Sequence, residues 1–309
     1  MFHTASCVIG TLGPLWTGGT EVLIEQFVPE AVLETIRREN ASILFYVPAV
    51  LGALLEVQRT SDMDPPVLST IMGGASNVTA AMIESAESAF SARVINLFGM
   101  TELSPVLSAT RRDDSRDDQL NTIGHPLAQV DCKIIDPVSG ETLPVGTVGE
   151  ICARGYQQFV EYLHDPVSTE NALTSDGFVR TGDLGSMDAR GYLTLTGRLK
   201  ELIIRKGENI APPEIEACLC EHESVLDASV VGIPDEQLGE AVVAVIRVRG
   251  TEPVDFRQLL LEYVKERLSP HKIPSRWFVA DDLPVTPTGK VQKFALTASI
   301  GAGRFRELS

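Results

Sequence analysis

Cationic charge is scarce in this chain: 26 Lys plus Arg stand against 42 Asp plus Glu, a formal net charge of −16 at pH 7. No general positive field exists to gather nucleic acid or an anionic membrane, so any anionic ligand has to be met locally. Cysteine is equally uninformative as a scaffold. Cys7, Cys132, Cys152, Cys218 and Cys220 are odd in number, scattered, and form neither C-x-x-C nor a Cys/His metal spacing. That pattern points to a reduced, cytoplasmic protein without structural zinc. Long apolar runs are missing too, none approaching the ~20 residues of a membrane-spanning helix. The apolar opening "MFHTASCVIGTLGPLW" lacks the basic n-region of an export signal, since the first Lys or Arg is Arg37. There is no internal repeat and no long low-complexity tract. The spacing G-x-x-x-x-G-K-[ST] is absent as well, so "TPTGK" near the end is not the phosphate loop of a P-loop NTPase.

What is present suits about two domains, at ~150 residues each, and 44% hydrophobic content supplies a real core. Up to about residue 110, "ILFYV" (43–47), "LSTIM" (68–72) and "RVINLF" (93–98) read as buried strands. Between the last two, Val78, Ala81, Met82, Ser85, Ala86, Ala89 and Phe90 recur at helical spacing, which is the βαβ pattern of a parallel sheet. The charge-rich stretch "TRRDDSRDDQLN" (110–121) reads as a loop. From 122 to 196, "VDCKIID", "PVSGETLPVG" and "TVGEICARG" read as short antiparallel strands of a β subdomain. After Gly197 the texture becomes α+β. "ELIIR" reads as a strand, "APPEIEACLCEH" as a helix with Pro213 in its first turn, "ASVVGI" and "EAVVAVIRV" as strands, and "FRQLLLEYVKERLS" as a helix ending before Pro270.

Several residues carry polar chemistry at suggestive places. Gly73 and Gly74 follow a strand; alone they read first as a tight turn, or as a place where backbone approaches a flat base. Thr101 and Glu102 also follow a strand, where ligands gather in open α/β sheets, although an isolated Thr-Glu is more often a solvated pair. Asp183 suits either a turn cap or a carboxylate accepting from a diol. Arg198, Lys200, Arg205 and Lys206 concentrate cations in "GRLKELIIRKGENI" (197–210), as an anion site or as a solvated strand edge.

In order along the chain, "MGGAS" (72–76), "NLFGMTE" (96–102), "RTGDLG" (180–185), "GRLKELIIRKGENI" and "LPVTPTGKVQK" (283–293) together resemble the adenylate-forming superfamily, specifically its acyl- and aryl-CoA synthetases. The likeness covers essentially the whole chain. It implies an α/β fold: a partial large N-terminal domain over 1–197, with an α/β portion (1–120) and a β subdomain (121–197), then a smaller, mobile α+β domain over 198–309. It also implies an ATP-dependent acid–thiol ligase acting through an acyl-adenylate, with ATP and CoA as substrates, Mg²⁺ as activator and a small carboxylic acid as the third partner.

By that resemblance Gly73, Gly74 and Ala75 form the adenine-side loop, and Phe98, followed by Gly99, replaces an aromatic, commonly Tyr, that stacks near the base. Thr101 contacts the α-phosphate and Glu102 holds the magnesium. Asp183 binds ribose with Arg198 on the same nucleotide. Lys200 is the hinge, and Lys206, Gly207 and Glu208 wall the thiol channel. Lys290 is the catalytic lysine of adenylation, and His3, beside Phe2, lines the acyl pocket. Two departures stand out. Glu161 replaces the Gly usual before Tyr162, and the Gly- and Ser/Thr-rich phosphate loop expected upstream of "MFHT" has no counterpart. The expectation is therefore a fragment that is inactive by itself, with a complementing N-terminal fragment as a candidate partner. A carrier-protein-loading adenylation domain and an inactive nucleotide-binding remnant are the other readings.

Overall fold

The computed structural model describes residues 3–61, 64–74, 78–286 and 290–308. Two compact units divide the chain, Met1–Leu195 and Thr196–Ser309.

In the first unit a π-helical stretch, Ser6–Leu12, runs into a short helix, α1 (Gly13–Thr17). Strand and helix then alternate: α2 (Pro29–Arg38), β1 (Ile43–Tyr46), α3 (Pro48–Thr60), β2 (Thr70–Gly74), α4 (Ala80–Phe90) and β3 (Arg93–Phe98). Prolines open α2 and α3 at positions where a missing N–H has no helical partner to lose. Thr79 caps α4 by accepting the Met82 N–H at 3.2 Å. The alternation yields the expected parallel sheet, β1–β2–β3, with Phe45 opposite Met72 and Met72 opposite Ile95. Leu33, Leu51, Leu54, Ile71 and Phe90 are buried where helices meet it. Two short strands, β4 (Ser108–Ala109) and β5 (His125–Pro126), extend the sheet in antiparallel fashion.

The charged stretch 110–121 is not wholly a loop. It contains α5 (Arg116–Asn121), because the Ser115 hydroxyl accepts the Asp118 N–H at 3.2 Å and the first turn carries Asp117 and Asp118, which suit the positive end of a helix. Arg190 then grips the Asp118 carboxylate with two hydrogen bonds, at 2.9 and 2.7 Å. Charge that reads as a loop here serves in part to cap and pair.

The β layer follows: β6 (Val130–Ile135), β7 (Gly149–Gly155), β8 (Val179–Met187) and β9 (Leu193–Arg198), with α6 (Pro166–Asn171) between β7 and β8 in sequence. The segment 137–146, expected as a strand, is a turn instead. The Asp136 carboxylate accepts the N–H groups of Val138 and Ser139 at 2.9 and 2.7 Å, and the segment makes an isolated bridge, Ile135 to Thr142, but no strand. Leu103, Leu107, Ile151, Val179 and Leu193 form the core of this part.

The second unit takes in the end of β9 and then a 3₁₀ turn, Leu199–Glu201, so the strand expected from 201 begins only at Ile203. β10 (Ile203–Arg205) and β11 (Glu208–Ile210) form a hairpin, followed by α7 (Pro212–Cys220), β12 (Val225–Asp235), β13 (Gly239–Val248), α8 (Phe256–Lys265), β14 (Arg276–Val279), α9 (Lys293–Gly301) and β15 (Arg306–Glu307). The sheet runs β11-β10-β13-β14-β15, with β12 beside β13, and mixes parallel and antiparallel pairs. Strand alternation explains why β13 lies at its centre. Val242, Ala244 and Ile246 enter one core with Ile215, Leu260 and Trp277, while Val243 and Val245 enter another with Phe278, Leu296 and Ile300. The observed fold is the expected mixed α/β one, a parallel sheet with a β layer followed by an α+β unit.

Candidate functional site

Three parallel strands set the geometry, because their C-terminal ends gather the residues that follow them. Gly73 and Gly74 do not follow β2 but complete it, opposite Asn96 and Leu97 of β3. Neighbouring backbone explains the glycines. A Cβ on Gly73 would lie 2.0 Å from the Tyr46 carbonyl oxygen, and one on Gly74 2.0 Å from that of Leu97. Ala75 lies outside the described residues. Phe98 ends β3, half-buried against the core that includes Leu103 and Leu107, and its carbonyl accepts the Leu107 N–H at 2.8 Å.

Beyond Gly99 and Met100 the chain makes a single 3₁₀ turn, Thr101–Leu103, anchored by the fully buried Leu103. Thr101 is exposed and Glu102 half-buried. Glu102 is held twice by the segment after β7. Its backbone carbonyl accepts the Phe159 N–H at 2.8 Å, and its Oε1 accepts the Tyr162 hydroxyl at 2.5 Å. That hydrogen bond, helped by burial, pushes the Tyr162 phenol up to about 12.

Asp183 sits inside β8, not in a turn, and is 3% exposed. The register between β7 and β8 slips around it, Glu150 facing Leu184 while Cys152 faces Arg180. The slip is stabilised by side chains. The Thr181 hydroxyl donates to the Ile151 carbonyl at 2.7 Å and accepts the Asp183 N–H at 3.1 Å. Buried Glu150 takes the Gly182 N–H on Oε1 and the Arg180 guanidinium on Oε2 at 2.6 Å.

The remaining expected residues belong to the second unit, apart from His3. Arg198 ends β9 and Lys200 lies in the 3₁₀ turn, both exposed. Lys206 and Gly207 are the two central residues of the β10–β11 hairpin, with φ of 51° and 83° and Arg205 opposite Glu208. Both φ values are positive, as a tight hairpin turn of this hand requires, and glycine adopts that state at little cost. Arg205 donates to the His271 carbonyl at 2.6 Å, so its charge serves the fold. Lys290 is bonded twice to Thr286, its N–H on the Thr286 hydroxyl at 3.1 Å and its carbonyl accepting the Thr286 N–H at 2.8 Å. His3 starts the first helical stretch of the first unit, its Nδ1 accepting the Ala5 N–H at 3.2 Å, and Phe2 lies outside the described residues.

The structure thus places Gly73, Gly74 and Phe98 at the C-terminal ends of adjacent strands, Thr101 and Glu102 in the 3₁₀ turn that follows β3, and Asp183 in the β layer of the same unit. Among the described residues no group of three His, Cys, Asp or Glu side chains is placed to hold a metal ion. The cysteines are all free, and burial pushes the Cys132, Cys152 and Cys220 thiols up to about 12. No described helix is long and apolar enough to cross a membrane.

A family model described as AMP-binding enzyme matches residues 1–163, and a second, described as AMP-binding enzyme C-terminal domain, matches residues 214–290. The chain belongs to the AMP-binding enzyme family. Among relatives of this AMP-binding chain, YngI of Bacillus subtilis (strain 168) is 37% identical over 96% of the chain and 54% of its own length. The acyl-CoA ligase sidI of Aspergillus fumigatus is 35% identical over 96% of the chain and 52% of its own length. Among solved structures, ATP-bound MatB from Rhodopseudomonas palustris superposes with a TM-score of 0.86 at 28% identity, over 96% of this chain and 58% of that one. The amide bond synthetase McbA from Marinactinospora thermotolerans gives 0.82 at 36% identity, over 92% of this chain and 58% of that one. The chain therefore spans about half the length of the relatives it matches.

Two features escaped the sequence reading, the grip of Tyr162 on Glu102 and that of Glu150 on Gly182. Their partners are far apart in sequence, and no local pattern signals such pairings. The sole hint was Tyr162 itself, next to the departure at Glu161.

Proposed function

We propose that this chain carries the adenylate-binding part of an AMP-forming acid–CoA ligase. The observation that carries the reading is the Thr101–Glu102 turn at the end of β3, beside the glycine-ended β2, in an AMP-binding family member whose relatives include named acyl-CoA ligases. In the reaction a carboxylate oxygen of the acid attacks the α-phosphorus of ATP, giving acyl-adenylate and pyrophosphate. The thiol of CoA then takes the acyl group and AMP departs.

Each residue has a role in that scheme. Gly73, Gly74 and Ala75 admit the adenine, and Phe98 offers a ring face near it. Asp183, stiffened by its strand, accepts the ribose hydroxyls, with Arg198 on the same nucleotide. Thr101 donates to the α-phosphate. Glu102 supplies a single carboxylate, which fits a magnesium ion that keeps most of its ligands as water and phosphate oxygens and does not fit an all-protein cage. When bound, that ion neutralises phosphate charge. Lys290 brings a cation to the reacting centre during adenylation. Lys200 is the hinge about which residues 198–309 turn for the second half-reaction, when Lys206, Gly207 and Glu208 flank the thiol, and His3 lines the acyl pocket.

The 309 residues contain nothing like a loop for the β- and γ-phosphates, so turnover by this chain requires a complementing segment that carries one. The test is pyrophosphate release across fatty and aryl acids, by the chain alone and mixed with a phosphate-loop fragment from a relative. Release only on mixing supports the reading. Acid-dependent release with transfer to an amine or a carrier protein, and none to CoA, would move it toward the chemistry named for McbA or toward carrier loading. Nucleotide binding without release in any mixture would leave a binding remnant.

A further inference from the structure

Glu102 stands on one turn of 3₁₀ helix, where a long carboxylate side chain would otherwise sample several rotamers. The segment after β7 removes that freedom. Phe159 binds the Glu102 main chain and Tyr162 its side chain, two hydrogen bonds of 2.8 and 2.5 Å from residues three apart. The segment is itself secured, because the Tyr162 N–H donates to the Thr169 hydroxyl at 3.0 Å and the Phe159 and Tyr162 rings pack with centroids 4.9 Å apart. The phenol occupies Oε1, while Oε2 accepts no hydrogen bond from a described residue.

The chemistry of the donor matters. An Arg or Lys partner would orient the carboxylate and cancel its charge; a neutral phenol orients it and leaves the charge in place. We infer that Tyr162 is a positioning residue that aims the second oxygen of Glu102 at the divalent cation arriving with the nucleotide. This rests on the role proposed above for Glu102. Outer partners of ligating carboxylates typically affect metal affinity by about 10–100-fold.

The test is calorimetric titration of ATP into the purified chain, once with excess Mg²⁺ and once with EDTA, the quantity read being the Mg²⁺-dependent gain in ATP affinity. Glu102→Gln should abolish the gain. Tyr162→Phe, which keeps the ring against Phe159, should cut it about tenfold or to nothing, with ATP affinity in EDTA unchanged. Equal losses in both buffers for Tyr162→Phe would mark a merely structural residue and overturn the inference. So would an unaltered gain in Tyr162→Phe alongside its loss in Glu102→Gln, which leaves the Glu102 role standing. A gain that survives Glu102→Gln, or no ATP binding at all, removes that role and the inference together.

Discussion

Buried Glu150 accepts the backbone N–H of Gly182 at 3.0 Å and thereby fixes the residue before Asp183. The same carboxylate is paired with Arg180, itself one-third exposed. Arg180→Met strands a buried charge and should cost ~3 kcal/mol, the lower end of the range for broken buried pairs because the guanidinium is partly solvated. Urea unfolding measures it. Glu150→Gln in the same background should recover much of the loss, since an amide oxygen still accepts from Gly182; an unchanged midpoint for Arg180→Met would contradict the assignment.

Two glycines should respond to alanine with opposite signs. Gly74→Ala puts a Cβ 2.0 Å from the Leu97 carbonyl oxygen, so β2 and β3 must part, at ~1–3 kcal/mol or more. Gly52 lies within α3 with nothing within 4 Å of its Cβ, and Gly52→Ala should stabilise by ~0.5–1 kcal/mol. Thermal midpoints of the two variants, moving in opposite directions, are the expected result.

Lys293 lies 3.0 Å from the carboxylates of both Glu201 and Glu216. Burial pushes the Glu216 carboxyl up, and Lys293 opposes that shift. Lys293→Met removes the opposition and should cost ~3 kcal/mol near neutral pH. A carboxyl raised by folding gives stability that is full below its ordinary range and lost as pH rises through the raised value. The Lys293→Met variant should therefore be more stable at about pH 5 than at about pH 8, with a steeper fall than the parent. Adding Glu216→Gln should flatten that fall.

Lys290→Ala, in a preparation that turns over, should lower adenylation by ~10²-fold or more while leaving the reaction of supplied acyl-adenylate with CoA near its parent rate. Separate assays of the two half-reactions decide this, and equal losses would point to damage rather than to a role in charge neutralisation.

Periodicity made the parallel strands, α4, α7, α8 and the long β12–β13 pair legible, because an apolar face repeats within one element. It failed where a side chain, not a face, decides the structure. Ser115 turned part of a charged stretch into α5, and Asp136 turned an expected strand into a closed turn. α9 was not assigned; buried Leu296 and Ile300 face the sheet with little polar contrast on its other side. The motifs located Glu102 and Asp183, yet not their surroundings, since Tyr162 reaches Glu102 across 60 residues and Glu150 reaches Gly182, the residue before Asp183, across 32.

Binding of a stable acyl-adenylate mimic tests whether these residues hold an adenylate, without needing the β- and γ-phosphates. Acyl-sulfamoyl adenosines with octanoyl, dodecanoyl and benzoyl groups would be titrated calorimetrically into the purified chain and its Asp183→Ala variant. At least one should bind the parent saturably, and Asp183→Ala, losing hydrogen bonds to a charged acceptor, should weaken it by about 10–100-fold. Failure of every mimic to bind, or equal affinity in the variant, would contradict the account.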